Sequence, residues 1–216
     1  MSSNKLIKLL FVTTFALVLA NIANELLGRP SWQINQLVNL SYEANIPTWF
    51  SSMLLAIAAF FGYKCSTFKN ITLSEKRTWQ LLALGLLGMS CDETATIHER
   101  LGDTLNKHFL KIEFISKGAW VFIFGPLILV LFLLFALRLK QYLQNSKKAK
   151  KLLLIGALTY ISGAFILETI LACSSAKWMW QFEPIFEESF EMFGAILFIK
   201  GLMEQQKFLL ISKNKD

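Results

Sequence analysis

Three groups of acidic side chains lie in stretches otherwise rich in apolar residues. Asp92, Glu93 and Glu99 stand beside His98, Glu187 and Glu188 precede Glu191, and Glu168 is the only acid in its stretch. Carboxylates with one imidazole suit a hard or intermediate divalent metal, with Zn, Mn, Fe and Mg all compatible. The expected ligands are Asp92, His98, Glu99, Glu187 and Glu191. A spare carboxylate, Glu188 or Glu168, would then be the general base for an activated water. Asn21, Glu25, Glu43 and Ser90 are placed to support that set. There is no His-Glu-x-x-His pair, no Gly-x-Ser-x-Gly and no phosphate loop, which leaves out the common soluble hydrolase and NTPase chemistries. The paired Glu-x-x-His motifs of di-iron bundles are missing too.

The elements that must position these groups follow from composition. Of 216 residues, 54% are hydrophobic and 17% charged, against about a quarter charged in soluble domains. Nineteen Phe and six Trp exclude a disordered chain. Six stretches are long enough for helices across a ~30 Å hydrocarbon core: Leu6–Leu27, Pro47–Tyr63, Thr78–Arg100, Gly118–Leu139, Leu152–Cys173 and Ile185–Met203. Their apolar runs are continuous where barrel strands would alternate. The expected fold is therefore a single all-α polytopic membrane bundle, residues 1–216.

Lys and Arg set its orientation. Sixteen of the 22 fall on the side of both termini, including Lys147, Lys148, Lys150 and Lys151, and six on the other. That asymmetry puts both termini in the cytoplasm of a bacterial inner membrane. The net charge of +7 is thereby assigned to anionic lipid and not to nucleic acid. Lys5, Lys8 and the apolar run to Ala20 also fit a signal peptide cleaved after Ala20, although the apolar pattern resumes at Ile22. Trp49-Phe50 and Trp178-Met179-Trp180 fit an interfacial aromatic belt. Cys65 belongs at the cytoplasmic end of the second span, and Cys91 and Cys173 read as buried thiols.

Of the fifteen acids, only Glu75, Glu204 and Asp216 lie on the cytoplasmic side. At 1.5 Å per residue, Asp92 lies about 12 Å, Glu191 about 9 Å and Glu168 about 8 Å below the outer surface. An ionised side chain at such depth costs at least about 2.5–3.5 kcal/mol, so the group must share protons or a cation. Continuing one helix through Arg100 places Asp92, His98 and Glu99 around a floor of Gly88, Ala95 and Gly102, while Glu93 turns away toward Arg100 as an ion pair. In the sixth stretch Glu187, Glu188 and Glu191 share an arc with Gly194 and Ala195. The two small-residue arcs are expected to face each other.

The motifs Glu43-x-Asn45-Ile46-Pro47-x-Trp49-Phe50-Ser51-Ser52, Ser90-x-Asp92-Glu93-x4-His98-Glu99 and Glu187-Glu188-x2-Glu191-x2-Gly194 resemble a family of uncharacterised bacterial six-span inner-membrane proteins. More remotely, Ser90, Asp92 and His98 are similar to the pattern of the alkaline ceramidase and adiponectin-receptor type of membrane hydrolase. That resemblance implies a zinc-dependent hydrolase, but Glu187-x3-Glu191 stands where a His-x3-His would be. The expected activity is metal-dependent hydrolysis of a lipidic or amphiphilic substrate at the outer leaflet. The alternatives are a cation or proton transporter and a structural or partner-binding membrane subunit. The inner half-spans offer few polar groups beyond Thr13, Thr14, Thr159, Tyr160 and Ser162, which favours a one-sided pocket over a conduit.

Overall fold

The computed structural model describes residues 2–110, 119–173 and 177–213, and among them there are helices and no strand. The first helix, α1 (Ser3–Leu26), is followed by a short α2 (Trp32–Val38) and by α3 (Ile46–Ser66). Next come α4 (Leu73–Ala95) and α5 (Ile97–Leu105), which runs into a π-helical turn at Asn106–Leu110. Then follow α6 (Ala119–Ile123), α7 (Gly125–Tyr142) and α8 (Lys147–Ile161), a second π-helical turn at Ser162–Leu167, α9 (Glu168–Ala172) and α10 (Lys177–Lys213). Four helical stretches, at Ser3–Leu26, Ile46–Ser66, Gly125–Tyr142 and Lys147–Ile170, are long and apolar enough to cross a membrane, as expected of a membrane protein.

The core lies where α3 and α10 cross. Leu54, Leu55 and Ala58 on α3 pack with Met192, Ile196, Ile199 and Leu202 on α10, all buried. From this pair the bundle grows outward, with α4 packed on α3, α8 on α10, and α1 on α10. Local signals set the helix starts. Asn45 caps α3 by accepting from the Thr48 amide at 3.1 Å, with Pro47 in the first turn. Thr72 caps α4 by accepting from the Glu75 amide at 3.1 Å. Most of α7 is exposed, and its polar ties to α4 come from its end, where Arg138 Nε donates to Thr78 Oγ1 at 3.0 Å and Tyr142 to Ser74 at 2.9 Å.

Two expected spans are redrawn. The stretch 78–100 is not one helix, because α4 stops at Ala95 and Thr96 is left-handed, with φ 49° and ψ 42°. The Asp92 side chain accepts from the His98 amide at 3.0 Å. It thereby satisfies a free donor at the start of α5, which lets the chain turn. The stretch 185–203 starts too late, since α10 begins at Lys177 and contains Pro184. Glu187 and Glu188 therefore lie well inside a 37-residue helix and not in its first turn, so no helix-terminal charge accounts for them. The backbone of 178–180 belongs to α10, and the side chains of that aromatic run lie outside the described residues.

At the end remote from these acids, α8 and α10 are clamped through Glu204, which holds Lys207 at 2.7 Å and Lys148 at 3.1 Å. Hydrogen bonding, from Lys207 first, keeps the Glu204 carboxyl below its ordinary range despite partial desolvation. A carboxylate shifted this way adds stability above its unfolded pKa and loses it as pH falls through the folded one. Because both lysines are largely exposed, Glu204→Gln should cost under about 1 kcal/mol at neutral pH. Melting curves of variant and wild type in detergent should converge as pH drops below the usual glutamate range.

Candidate functional site

The acids assemble in two adjoining groups. The inner one draws on four helices: Ser51 of α3, Glu93 of α4, Tyr160 of α8, and Glu188 with Glu191 of α10. Glu93 stands beside Ser51 and feels the charges of Glu43, Asp92 and His98. Tyr160 stands beside Glu191, which is 9% exposed and within the field of Glu93, Glu168 and Glu43. Glu188 is surrounded by the charges of Glu93, Glu191, Glu43 and Glu99. Its Oε2 is buried with no hydrogen-bond partner among the described residues.

Glycines bring these side chains so close. A Cβ on Gly163, in the π-helical turn, would lie 2.7 Å from the Glu187 carbonyl oxygen and 3.0 Å from Glu191 Cγ. A Cβ on Gly194 would lie 2.8 Å from the Gly156 carbonyl oxygen and 2.8 Å from both the backbone nitrogen and Cβ of Tyr160. With only hydrogens there, α10 sinks onto α8 and sets Glu191 against Tyr160.

The outer group sits at the α4–α5 elbow. Asp92 bonds the His98 ring through Nδ1 as well as the His98 amide. The imidazole stands edge to face with Trp120 of α6, 4.4 Å between ring centroids, and Trp120 Nε1 donates to Glu168 Oε1 at 2.6 Å. Gly102 of α5 permits this, since a Cβ there would lie 2.6 Å from the Trp120 backbone nitrogen. Asp92 thus does a cap's work at a strained β-branched residue. Asp92→Ala should cost about 1–2 kcal/mol, read as a lower melting temperature in detergent. A variant melting with wild type would remove this structural role.

Several expectations change accordingly. Of the expected ligands Asp92, His98, Glu99, Glu187 and Glu191, the first two stand together in the outer group and Glu191 in the inner one, and among the described residues no three His, Cys, Asp or Glu side chains are arranged to hold an ion. Glu93 does not pair with Arg100, whose Nε donates instead to Thr96 Oγ1 at 2.8 Å. It turns inward because α4 lies on α3, and so it joins the site from which the helical projection excluded it. The two small-residue arcs do not meet. Gly194 packs on α8, and a Cβ on Gly88 would find nothing within 4 Å among the described residues. Ser90 trades hydrogen bonds with Ser52, its Oγ donating to the Ser52 carbonyl at 2.8 Å, which ties α4 to α3. Glu25 is held by Arg29 at 2.9 Å and by Asn39, and Asn21 accepts from the Leu40 amide. Cys91 and Cys173 are free and exposed, and only Cys65 is a buried thiol.

Ser51 and Tyr160 are the site residues that sequence reasoning passed over. A signal for Tyr160 existed: Gly156 and Gly163 are one heptad apart, as are Gly194 and Gly201, a spacing that pairs the two helices and buries what lies between.

The family model described as a domain of unknown function, DUF8692, matches residues 9–205. The chain belongs to that family. The matched stretch takes in every residue of both acidic groups. No curated protein and no solved structure matches the chain.

Proposed function

We propose that this DUF8692 member is a six-span inner-membrane protein, termini in the cytoplasm, whose acidic chamber binds a divalent metal and hydrolyses a lipidic or amphiphilic substrate from the outer leaflet. The observation behind this reading is the inner group. Glu93, Glu188 and Glu191 share one electrostatic neighbourhood, while the Lys and Arg salt bridges among the described residues go to Glu25 and Glu204. A Glu188 oxygen with no partner among the described residues and with like charges around it fits a site that is completed by a cation.

Glu93, Glu188 and Glu191, with Tyr160 beside Glu191, would hold the ion after drawing closer together, since among the described residues no three His, Cys, Asp or Glu side chains stand at ligand spacing. A divalent metal supplies Lewis-acid activation of water. Bound to Asp92 through Nδ1, His98 keeps Nε2 for proton exchange. Glu168, held by Trp120, is the carboxylate through which a proton would pass toward the inner group. Elemental analysis of detergent-purified wild type, dialysed in turn against Zn, Mn, Fe and Mg, tests the proposal. Stoichiometric retention of one of them supports it, and retention of none ends it.

One observation favours cation or proton transport as the second reading. Gln205, fully buried in α10 well beyond the chamber, has neither its amide nitrogen nor its oxygen partnered among the described residues, and so adds a polar group to the half expected to lack them. Uptake by proteoliposomes that depends on both Glu191 and Gln205 would select transport over hydrolysis.

A further inference from the structure

The short helix α2 is built inside out for a segment facing water. Its buried residue is polar: Asn35, 6% exposed. The Asn35 Oδ1 accepts from Asn24 at 2.8 Å and from Asn39 at 3.0 Å, and its Nδ2 donates to Tyr42 at 3.5 Å. The outward side carries Trp32, Ile34 and Leu37, which are 71%, 52% and 51% exposed. Gln33 shares that side, its Oε1 already accepting from Ser31 at 3.0 Å. A helix at a water boundary buries its apolar stripe and shows its polar one, and α2 does the reverse. No charged residue occurs between Trp32 and Val38.

We infer that α2 lies in the boundary between headgroups and acyl chains of the bilayer that the bundle spans, its outward face seated in lipid. Continuity with the membrane-facing surface identifies the occupant. The spanning helix α1 ends at Leu26, and Leu26 and Leu27 are 83% and 72% exposed, so the apolar end of α1 and Trp32 are separated only by the turn 28–31. Trp49, at the start of spanning α3, is exposed on the same end of the bundle. Seven residues make a helix about 10 Å long, too short to cross a bilayer and suited to lying along its surface. A tryptophan at its first position suits that depth, where an indole is apolar on its faces and polar at its N–H. The buried asparagines hold α2 in place: Asn35 joins it to α1 through Asn24, while Asn39 reaches Glu25 and, through its carbonyl, Asn45 at the start of α3. Glu43, in the loop between α2 and α3, is thereby brought to the level of the headgroups.

The test uses the full chain in vesicles of phosphatidylcholine and phosphatidylglycerol. A nitroxide is placed at Ile34→Cys and at Leu37→Cys after Cys65, Cys91 and Cys173 are changed to serine. Leu131→Cys in α7 serves as the lipid reference and Lys69→Cys, in the turn between α3 and α4, as the aqueous one. Collisions with oxygen should exceed those with a water-soluble nickel complex several-fold more at 34 and 37 than at 69, approaching the ratio at 131. Ready access of nickel at 34 and 37 would overturn the inference, and so would shielding from both reagents, the outcome if a second copy of the chain or another protein covers α2. Should the serine background not fold, lipids brominated near the glycerol give the same answer with the native cysteines in place. The quenched emission should include a component that disappears in Trp32→Phe, and a Trp32 component quenched only by aqueous acrylamide would overturn it.

Discussion

Alanine at Gly194 is expected to destabilise the bundle by about 1–3 kcal/mol, the usual cost of forcing a methyl into a filled site. The new Cβ would stand 2.8 Å from the Gly156 carbonyl oxygen and 2.8 Å from the Tyr160 backbone nitrogen. Both are main-chain atoms that no rotamer change can remove, so α8 and α10 must part. Tyr160 also stands against this spot through its Cβ, and its approach to Glu191 should loosen with the separation. Gly88 provides the control. It too is helical, in α4, but a Cβ there meets nothing within 4 Å among the described residues, and exchanging a helical glycine for alanine is worth roughly 0.5–1 kcal/mol of added stability. Thermal unfolding in one detergent should show Gly194→Ala melting below wild type and Gly88→Ala at or above it. Coincident melting of the two variants would remove the close α8–α10 approach from the account of the site.

Glu93→Gln and Glu191→Gln should each lower retention of a divalent metal by about tenfold or more, a loss of at least about 1.4 kcal/mol of binding free energy. Each removes one formal charge from the inner group at almost constant shape. The signature that separates this from general damage lies in the metal-free protein. Like charges confined in a low-dielectric interior oppose folding when no cation joins them. Both variants should therefore melt at or above wild type in chelator while binding metal more weakly. Glu25→Gln is the matched control, because Glu25 is committed to Arg29 and its loss should leave metal retention unchanged. A metal-replete wild type whose affinity ignores both substitutions would place the ion elsewhere.

How far the site was legible in the chain can be judged at Asp92 and Glu93. Both were recognisable as acids inside an apolar stretch, although the depth counted along one helix to Arg100 does not survive the break at Thr96. Their roles were exchanged by two events that a helical projection cannot see. The first is the break at Thr96, where the Asp92 side chain competes with the helix for the His98 amide. The second is the packing of α4 on α3, which presents Glu93 to Ser51. The convergence of Glu168 and His98 depends in turn on Trp120, an indole whose position is set by α6 and by the bare surface of Gly102.

Composition and apolar run length by themselves determined that this chain is a helical membrane protein with its acids concentrated toward one end. Backbone polar groups in hydrocarbon have no partner but each other, so a long apolar run has little choice except a helix. Only the tertiary structure decided which carboxylates meet. Distances between helices depend on glycines at particular heights, on one left-handed residue and on one tryptophan, and each of these acts through contacts between segments far apart along the chain.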